Sequence, residues 1–200
     1  GQQIDLAITS PPYIKAIDYI YNQMVELFWI GDLFNMQTQT QQNIKKIEYI
    51  GNKQIAKAEF SNYTPFNTIL CIDRLDEKLQ QVFNTDKKNG HKHSYITFKY
   101  FAEMEKHFAE MSKCLNKKTH YVMVVGDSNV SDILFDTADF LIEIAKRNGF
   151  KITNKCFHDC STIFNITAGV IKMVSGDYIE LVPIFFDHII FSPIVMMPSR

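Results

Sequence analysis

The 200 residues of this chain carry 21 Lys and Arg against 22 Asp and Glu, and 46% of them are hydrophobic. This composition is ordinary for one globular domain, and its near-zero net charge provides no overall basic field that would draw the chain to nucleic acid. Any contact with DNA must therefore come from a local patch. The apolar stretch from Tyr178 to Met197 is interrupted by Glu180, Pro183, Asp187 and Pro193 and does not predict a membrane span.

The first predicted element is a buried strand that opens into a loop rich in proline. The apolar run Leu6-Ala7-Ile8 leads directly into Thr9-Ser10-Pro11-Pro12-Tyr13, and ligands bind beyond the carboxyl ends of strands in open α/β sheets. The two prolines restrict the backbone, so the carbonyls of Ser10 and Pro11 become fixed acceptors. An exocyclic amino group can donate to them while the Tyr13 ring stacks on a planar heterocycle. The alternative interpretation is a turn that merely ends a strand.

A helix is predicted next, over Ile17 to Trp29. Its apolar residues recur at helical spacing, at Ile17, Ile20, Tyr21, Met24, Leu27 and Phe28. Asp18 falls near the helix start, where the helix dipole favours a carboxylate, and a role at a base pocket is the other interpretation. Tyr19 fits a pocket or the core equally well.

From Asn35 to about Thr97 the chain becomes polar. It contains a run of Gln and Thr from residue 37 to 42, the pair Lys45-Lys46 and a basic stretch from residue 87 to 93. Gln side chains can read base edges and Lys side chains can neutralise phosphates, so this stretch is a candidate target-recognition region. The alternative is a solvated helical excursion with a turn at Asn89-Gly90.

The second half of the chain predicts alternating helices and strands. A helix spans Phe98 to Leu115, with a buried stripe at Phe101, Met104, Phe108, Met111 and Leu115. A strand over Val122 to Val125 ends at Gly126, and Asp127 and Ser128 then line the cleft or cap the next helix. That helix spans Phe135 to Asn148 and stops at Gly149; strands follow at Phe150 to Ile152 and at Asp187 to Ser192.

The four cysteines, at positions 71, 114, 156 and 160, form no Cys-x-x-Cys pair. Cys156, His158 and Cys160 would share one face of a strand, but strand alternation explains that spacing and no fourth ligand is assigned, so we predict no metal site. Free thiols suit a reducing compartment, which favours a cytoplasmic location.

The loop and its surroundings resemble the S-adenosylmethionine-dependent DNA amino-methyltransferases, which modify cytosine N4 or adenine N6. Their catalytic loop reads Ser, Asp or Asn, then Pro-Pro and an aromatic residue, and one bacterial subgroup extends Thr-Ser-Pro-Pro-Tyr to Ala-Ile-Asp-Tyr, as Ala16-Ile17-Asp18-Tyr19 does here. The likeness continues in order along the chain, through Leu27-Phe28-Trp29-Ile30-Gly31, the helix before Leu115, the strand ending in Gly126-Asp127-Ser128 and Asn148-Gly149-Phe150.

The resemblance implies an α/β fold, namely a partial Rossmann-like methyltransferase sheet from the catalytic-loop strand onward, with a polar, mainly helical insertion over residues 35–97. It implies DNA as substrate and S-adenosylmethionine as methyl donor, which Thr9 and Ser10 would contact. The target base leaves the duplex, its amino group donates to Ser10 and the Pro11 carbonyl, and Tyr13 stacks on it. Serine in the first loop position favours cytosine N4 over adenine N6. The implied residues are Ser10, Pro11, Pro12 and Tyr13 for catalysis and Asp18, Tyr19, Asp127 and Ser128 for the substrate.

The chain departs from the family in its glycines. The family's glycine-rich cofactor loop lies upstream of the Pro-Pro loop in this subgroup, and no Gly-x-Gly occurs among the eight glycines of this chain. We therefore expect one domain that forms the C-terminal half of a methyltransferase. The strand over Leu6 to Ile8 would then be an exposed edge, which a missing N-terminal segment, a second polypeptide carrying the glycine loop or a second copy of the chain would cover.

Other functions remain open at the level of sequence. Related Pro-Pro-Tyr loops serve methyltransferases of RNA guanine and of protein glutamine, although the Ala16-Ile17-Asp18-Tyr19 extension favours the DNA group. The missing glycine loop favours a non-catalytic module for DNA binding or assembly. A plain structural α/β domain would leave the ordered series of matches unexplained.

Overall fold

The computed structural model describes residues 4–14, 22, 24–34, 38–85, 89–115, 119–158, 161–168 and 195–198. The chain divides into two compact units: unit 1 comprises Gly1–Pro11, His107–Gly126 and Leu141–Arg200, and unit 2 comprises Pro12–Lys106 and Asp127–Phe140. The single domain expected from length stays a prediction. None of the helices in the part that the structure describes is long and apolar enough to cross a membrane.

Strands and helices alternate along the chain. The strands are β1 (Ile4–Thr9), β2 (His120–Gly126), β3 (Ser128–Val130), β4 (Ile133–Phe135), β5 (Phe150–His158), β6 (Ser161–Ala168) and β7 (Val195–Pro198). The helices are α1 (Met24–Ile30), α2 (Gln39–Glu48), α3 (Lys57–Phe60), α4 (Asp73–Thr85), α5 (Gly90–Cys114) and α6 (Thr137–Arg147), and a 3-10 turn follows α1 at Gly31–Phe34. The chain is thus a mixed α/β protein, as the sequence predicts.

Unit 1 contains a five-stranded sheet in the order β5-β6-β2-β1-β7. β1 and β2 are parallel neighbours, with Thr9 opposite Met123. β6 is antiparallel to both β2 and β5, so β5 runs in the same direction as β2. β6 is therefore antiparallel to its two neighbours, and the sequence pattern missed it. The expected strand at Asp187 to Ser192 lies outside the described residues.

The expectation that β1 forms an exposed edge is wrong. On one side β1 pairs with β2, and on the other it pairs antiparallel with β7, where Ala7 lies opposite Met196 and Ile8 opposite Val195. The physical reason is that a short segment near the end of the sequence satisfies the backbone groups that an edge strand would leave unpaired.

The core of unit 1 includes the last turns of α5. The predicted apolar stripe is confirmed here, because Phe108, Met111 and Leu115 are all buried. The Phe108 ring lies edge-on to the rings of Tyr121 and Phe150, with centroids 6.4 and 5.7 Å away. The predicted β2 is also confirmed, with Met123 and Val125 fully buried.

Unit 2 contains the polar insertion, which is mainly helical as predicted. It is nevertheless not a fully solvated excursion, because α4 buries Leu75, Leu79 and Val82. Helix α5 begins at Gly90 rather than at the predicted Phe98. A Cβ at position 90 would lie 2.7 Å from the carbonyl oxygens of both Val82 and Phe83, so the absence of a side chain lets α5 start directly against the end of α4.

The helix after the candidate loop is described only in its last part. α1 ends at Ile30, one residue beyond the predicted Trp29, and Leu27 is buried. Phe28 was expected on the buried stripe, but it is 81% exposed, and Trp29 is 78% exposed. Successive residues of a helix point in different directions, so Leu27 is buried while Phe28 and Trp29 are exposed to solvent.

A short hairpin, β3 and β4, precedes α6 and was not predicted. Its turn residues Ser131 and Asp132 have positive φ angles of 53° and 65°, a conformation that their sequence signals only weakly. α6 then begins at Thr137 rather than Phe135. Its predicted stop at Gly149 is confirmed, since this residue has φ +86° and its N–H donates to the Lys146 carbonyl.

Candidate functional site

The candidate catalytic loop starts where β1 ends. Thr9 is the last residue of that strand and is 6% exposed. Ser10 is half-buried and Pro11 is buried, both within unit 1; Pro12 and Tyr13 are half-buried within unit 2. Tyr13 thus keeps part of its surface accessible, which a ring that stacks on a substrate requires.

The parallel pairing of β1 and β2 brings their carboxyl ends to the same edge of the sheet in unit 1. Thr9 lies opposite Met123, and β2 continues from there to Gly126. This is the edge at which open α/β sheets bind their ligands. The position of Ser10 at this edge is the arrangement that the sequence predicts for it.

Unit 2 supplies a close support for Pro12 and Tyr13. Gly51 is buried and has φ +85°, and a Cβ added to it would lie 3.3 Å from the Tyr13 carbonyl oxygen and 3.5 Å from the Pro12 Cβ. The buried ring of Tyr100 is 3.9 Å from the same point. Sequence reasoning missed this contact, because Gly51 stands alone in a polar stretch and only its left-handed backbone marks it.

Glu103 lies on α5, and the Lys99 Nζ lies 3.8 Å from its Oε1. Burial raises the pKa of the Glu103 carboxyl, although the Lys99 cation and the Gly51 N–H both oppose the rise. Glu103 is therefore a half-buried carboxyl group in the vicinity of Gly51, and no sequence motif indicated it.

Asp127 and Ser128 contact the first residue of α6. The Asp127 Oδ1 accepts the Thr137 backbone N–H at 3.1 Å, and the Ser128 Oγ lies 3.5 Å from the Thr137 Oγ1. Ser128 is buried and Asp127 is exposed. Of the two interpretations given above, the structure has the hydrogen bonds of helix capping; contact of these residues with a substrate stays a prediction.

Two predicted substrate residues, Asp18 and Tyr19, lie outside the described residues, and so does Cys160. The side chains of Cys156 and His158 on β5 are likewise outside the description. Among the residues that the structure does describe, no group of three His, Cys, Asp or Glu side chains is placed to hold a metal ion.

The polar insertion contains both capping groups and an aromatic cluster. Thr38 and Gln41 form a capping box at the start of α2, with the Gln41 N–H donating to Thr38 Oγ1 at 3.2 Å. Gln41 is therefore already engaged and is a poor candidate for reading bases. Half-buried rings of this insertion, Phe60, Tyr63, His91 and Tyr95, contact one another, and Tyr63 also stacks on Phe98 just beyond the insertion.

The residues of the β1 end fit only part of an S-adenosylmethionine site. Thr9 and Ser10 are in place at the carboxyl end of the strand, but the whole sequence lacks a Gly-x-Gly turn. The far side of β1 is taken by β7 of the same chain. The described residues at this edge therefore include no glycine turn of the kind that the resemblance implies for the cofactor.

Comparison with other proteins adds no family assignment. No protein-family model matches this chain, and neither a curated protein nor a solved structure is significantly similar to it. Its function is therefore inferred from its own residues and their geometry.

Proposed function

We propose that this chain carries the catalytic loop of an S-adenosylmethionine-dependent DNA methyltransferase that modifies exocyclic amino groups, with cytosine N4 favoured over adenine N6. The observation that carries this proposal is the position of Ser10-Pro11-Pro12-Tyr13 directly after β1, a strand paired in parallel with β2. An amino group presented at that edge meets carbonyl acceptors from residues 10 and 11, and the proline at position 12 leaves no competing backbone N–H there.

The topology of unit 1 supports a Rossmann-like methyltransferase sheet. The resemblance implies an antiparallel last strand at the far side of the sheet, expected at Asp187 to Ser192, which lies outside the described residues. β6 is antiparallel to β2 and lies on the side of β2 opposite β1, and β5 beyond it runs in the direction of β1 and β2. The parallel pair β1-β2 is the part of this sheet that supports the proposed fold, since β6 and β7 both run antiparallel to that pair.

The residues of the loop would act by orientation. The hydrogens of an exocyclic amino group donate to the Ser10 side chain and the Pro11 carbonyl, which turns the nitrogen lone pair out of conjugation with the ring. Tyr13 stacks on the base and fixes its plane. Alignment of this kind lowers the barrier by converting an encounter into a near-attack arrangement, and no covalent intermediate on the protein is required.

S-adenosylmethionine, when bound, supplies an electrophilic methyl group to that nitrogen. Thr9 and Ser10 are the residues of this chain that would lie beside it. The glycine-rich turn is the part we assign to a second segment, either an upstream part of the same protein or another polypeptide. A homodimer, the other partner expected from the sequence, would supply no such turn, because a second copy of the chain lacks Gly-x-Gly as well.

A second candidate function is a non-catalytic module for DNA binding or assembly, derived from a methyltransferase. The observation that favours it is β7, which takes the side of β1 where the resemblance implies the glycine-loop strand. In that case the Pro-Pro-Tyr loop serves structure alone, and the Tyr13 ring has no substrate.

Substitution of Tyr13 separates the two functions. Transfer of tritium from labelled S-adenosylmethionine to unmethylated plasmid DNA, to RNA and to protein is measured with the chain alone and with the polypeptide segment encoded directly upstream. A methyltransferase loses transfer to DNA in Y13A and keeps most of it in Y13F, because phenylalanine retains the stacking ring. Equal incorporation in wild type and Y13A, or incorporation confined to RNA or protein, rejects the DNA assignment.

A further inference from the structure

Helix α1, in unit 2, is apolar on nearly every side. Its sequence from Met24 to Ile30 contains one charged residue, Glu26, and the 3-10 turn that follows adds Asp32. Leu27 is buried, and so is Gly31 four residues later, so these two residues mark the face of α1 that the chain itself covers. A helix that is hydrophobic all round is normally buried all round.

A second apolar face of α1 is exposed to solvent. Val25, Phe28 and Trp29 recur at three- and four-residue spacing, which places them side by side on a helix, and Leu33 follows Trp29 by four residues. Their exposed fractions are 71% for Val25, 81% for Phe28, 78% for Trp29 and 78% for Leu33. The Phe28 and Trp29 rings contact each other edge-on, with centroids 5.7 Å apart and planes at 90°. We call these four residues the α1 face.

The α1 face is large enough to be an interface. Its two aromatic side chains expose about 300 Å², and Val25 and Leu33 bring the face to about 500 Å². An apolar patch of this size is at the upper end of what a monomer leaves uncovered, and such patches are often functional. Two such faces packed together bury about 1,000 Å², which is the area that a specific interface has to reach.

The charges beside the α1 face disfavour nucleic acid and anionic lipid as its occupant. Glu26 and Asp32 are exposed, and they are the only charged residues of the sequence from residue 24 to residue 34. Both would repel a surface of phosphate groups. Between two copies of this chain the same carboxylates repel each other only weakly, because water and salt screen exposed charges. Burial of four apolar side chains on each copy outweighs that repulsion.

We propose that the α1 face is a homodimer interface, in which it packs against the α1 face of a second copy around a twofold axis. An isologous interface uses the same patch on both copies, so one exposed patch on each chain is sufficient, and twofold dimers are the commonest oligomers. Phe28 and Trp29 are the anchors of this interface, since large aromatic side chains carry most of the binding energy at such contacts.

This inference goes beyond the proposed function and does not depend on it. The α1 face contains none of the residues of the candidate loop, and a second copy adds no Gly-x-Gly turn to the cofactor site. The dimer therefore forms in the chain alone, with neither DNA nor S-adenosylmethionine present.

The test uses Trp29 as an intrinsic probe, because it is the one tryptophan of the chain. Sedimentation equilibrium and tryptophan fluorescence of the full chain are measured over a dilution series that spans the micromolar range, where interfaces of this modest size are expected to dissociate. We expect a monomer–dimer equilibrium in which the Trp29 emission maximum moves to longer wavelength on dilution, as the indole becomes exposed. Added NaCl should strengthen association, since it screens the repulsion between the carboxylates of Glu26 and Asp32.

F28S and V25S each remove one side chain of the α1 face and leave Trp29 in place as the probe. F66S is the matched control, because Phe66 is also 71% exposed and precedes α4, outside the α1 face. We expect F28S to raise the dissociation constant of the dimer about tenfold or more, V25S to raise it less and F66S to leave it unchanged. Since Phe28 and Val25 are mostly exposed, neither variant should unfold, and V25S carries the test if F28S does.

A wild type that stays monomeric at every concentration overturns the proposal, whether its Trp29 emission is that of an exposed or of a buried indole. A dimer with the same dissociation constant in the wild type, F28S and V25S uses another surface and overturns it as well. A dimer that dissociates as NaCl is added is held by ion pairs and also contradicts the proposal. None of these readouts involves methyl transfer, so each leaves the proposed function to its own test.

Discussion

The Asp127 carboxylate accepts the backbone N–H of Thr137 at 3.1 Å, across the β3-β4 hairpin. The first N–H groups of a helix have no partner within the helix, and an acidic side chain also interacts favourably with the positive end of the helix dipole. Asp127, chosen from the sequence as a substrate residue, thus has a structural role that does not depend on any substrate.

Removal of this contact should lower stability without abolishing the fold. We expect D127A to reduce the free energy of unfolding by about 1 kcal/mol, a typical cost of losing a capping side chain. D127N keeps an acceptor oxygen and should lose less. Urea denaturation of both variants measures the effect, and methyl transfer by D127N near the wild-type rate would assign Asp127 to capping alone. A strong loss of transfer by D127N at wild-type stability would instead return it to the substrate site.

The two left-handed glycines offer a matched pair of substitutions. Gly51 and Gly149 have φ +85° and +86°, but a Cβ at position 149 meets nothing within 4 Å. We expect G149A to cost about 1 kcal/mol from backbone conformation alone. G51A should cost more, because its Cβ also meets the Tyr13 carbonyl. Thermal unfolding of G51A and G149A measures the difference in their stability losses. Equal losses would mean that the Tyr13 carbonyl moves away from the added methyl group without cost.

Stability should depend on the charge of Glu103 in a definite direction. Its pKa is raised in the folded state, so its favourable contribution is complete below the ordinary value of 4.5 and is lost as pH rises through the folded pKa. E103Q should therefore gain stability relative to the wild type above this range, and the gain should vanish at lower pH. Unfolding free energies of the wild type and E103Q, measured as a function of pH from below to well above the ordinary value of 4.5, test the sign.

For His107, in unit 1, the stability of the protein should depend on pH in the opposite direction. Its Nε2 lies 2.5 Å from the Tyr121 hydroxyl, and burial lowers the pKa of the imidazole. A lowered pKa contributes stability that is present above the ordinary value of 6.5 and is lost as pH falls through the folded pKa. The expected acid sensitivity should be smaller in H107Q and unchanged in H120Q, which replaces an exposed histidine on β2. A wild-type profile identical to that of H107Q would contradict the buried neutral histidine.

Local patterns in the sequence predicted the elements whose burial is periodic. The stripe from Phe101 to Leu115, the apolar run of β2 and the stop at Gly149 are each determined by near neighbours in the chain, and each is found. The helix boundary at Gly90 was missed because it depends on the end of α4, a contact between elements. Phe28 was misplaced since only tertiary packing decides which face of a short helix is buried.

Long-range pairing explains the remaining differences. β7 covers β1 from a position far along the chain, and no local signal in Leu6 to Ile8 indicates such a partner. The candidate loop was selected from its residue types, whereas its close contact with Gly51 required the fold. The sequence therefore predicted a chemistry for the loop, and the structure added the backbone that lies against it.

The most direct measurement is nucleoside mass spectrometry of genomic DNA from a bacterial host that lacks its own DNA methyltransferases. The host expresses this chain together with the segment encoded directly upstream, as wild type, S10A or Y13A. We predict N4-methylcytosine with the wild type and a strong decrease with both variants, because each removes a group that orients the amino nitrogen. Absence of both N4-methylcytosine and N6-methyladenine, or equal amounts with Y13A, would contradict the assignment of this loop to DNA amino-methylation.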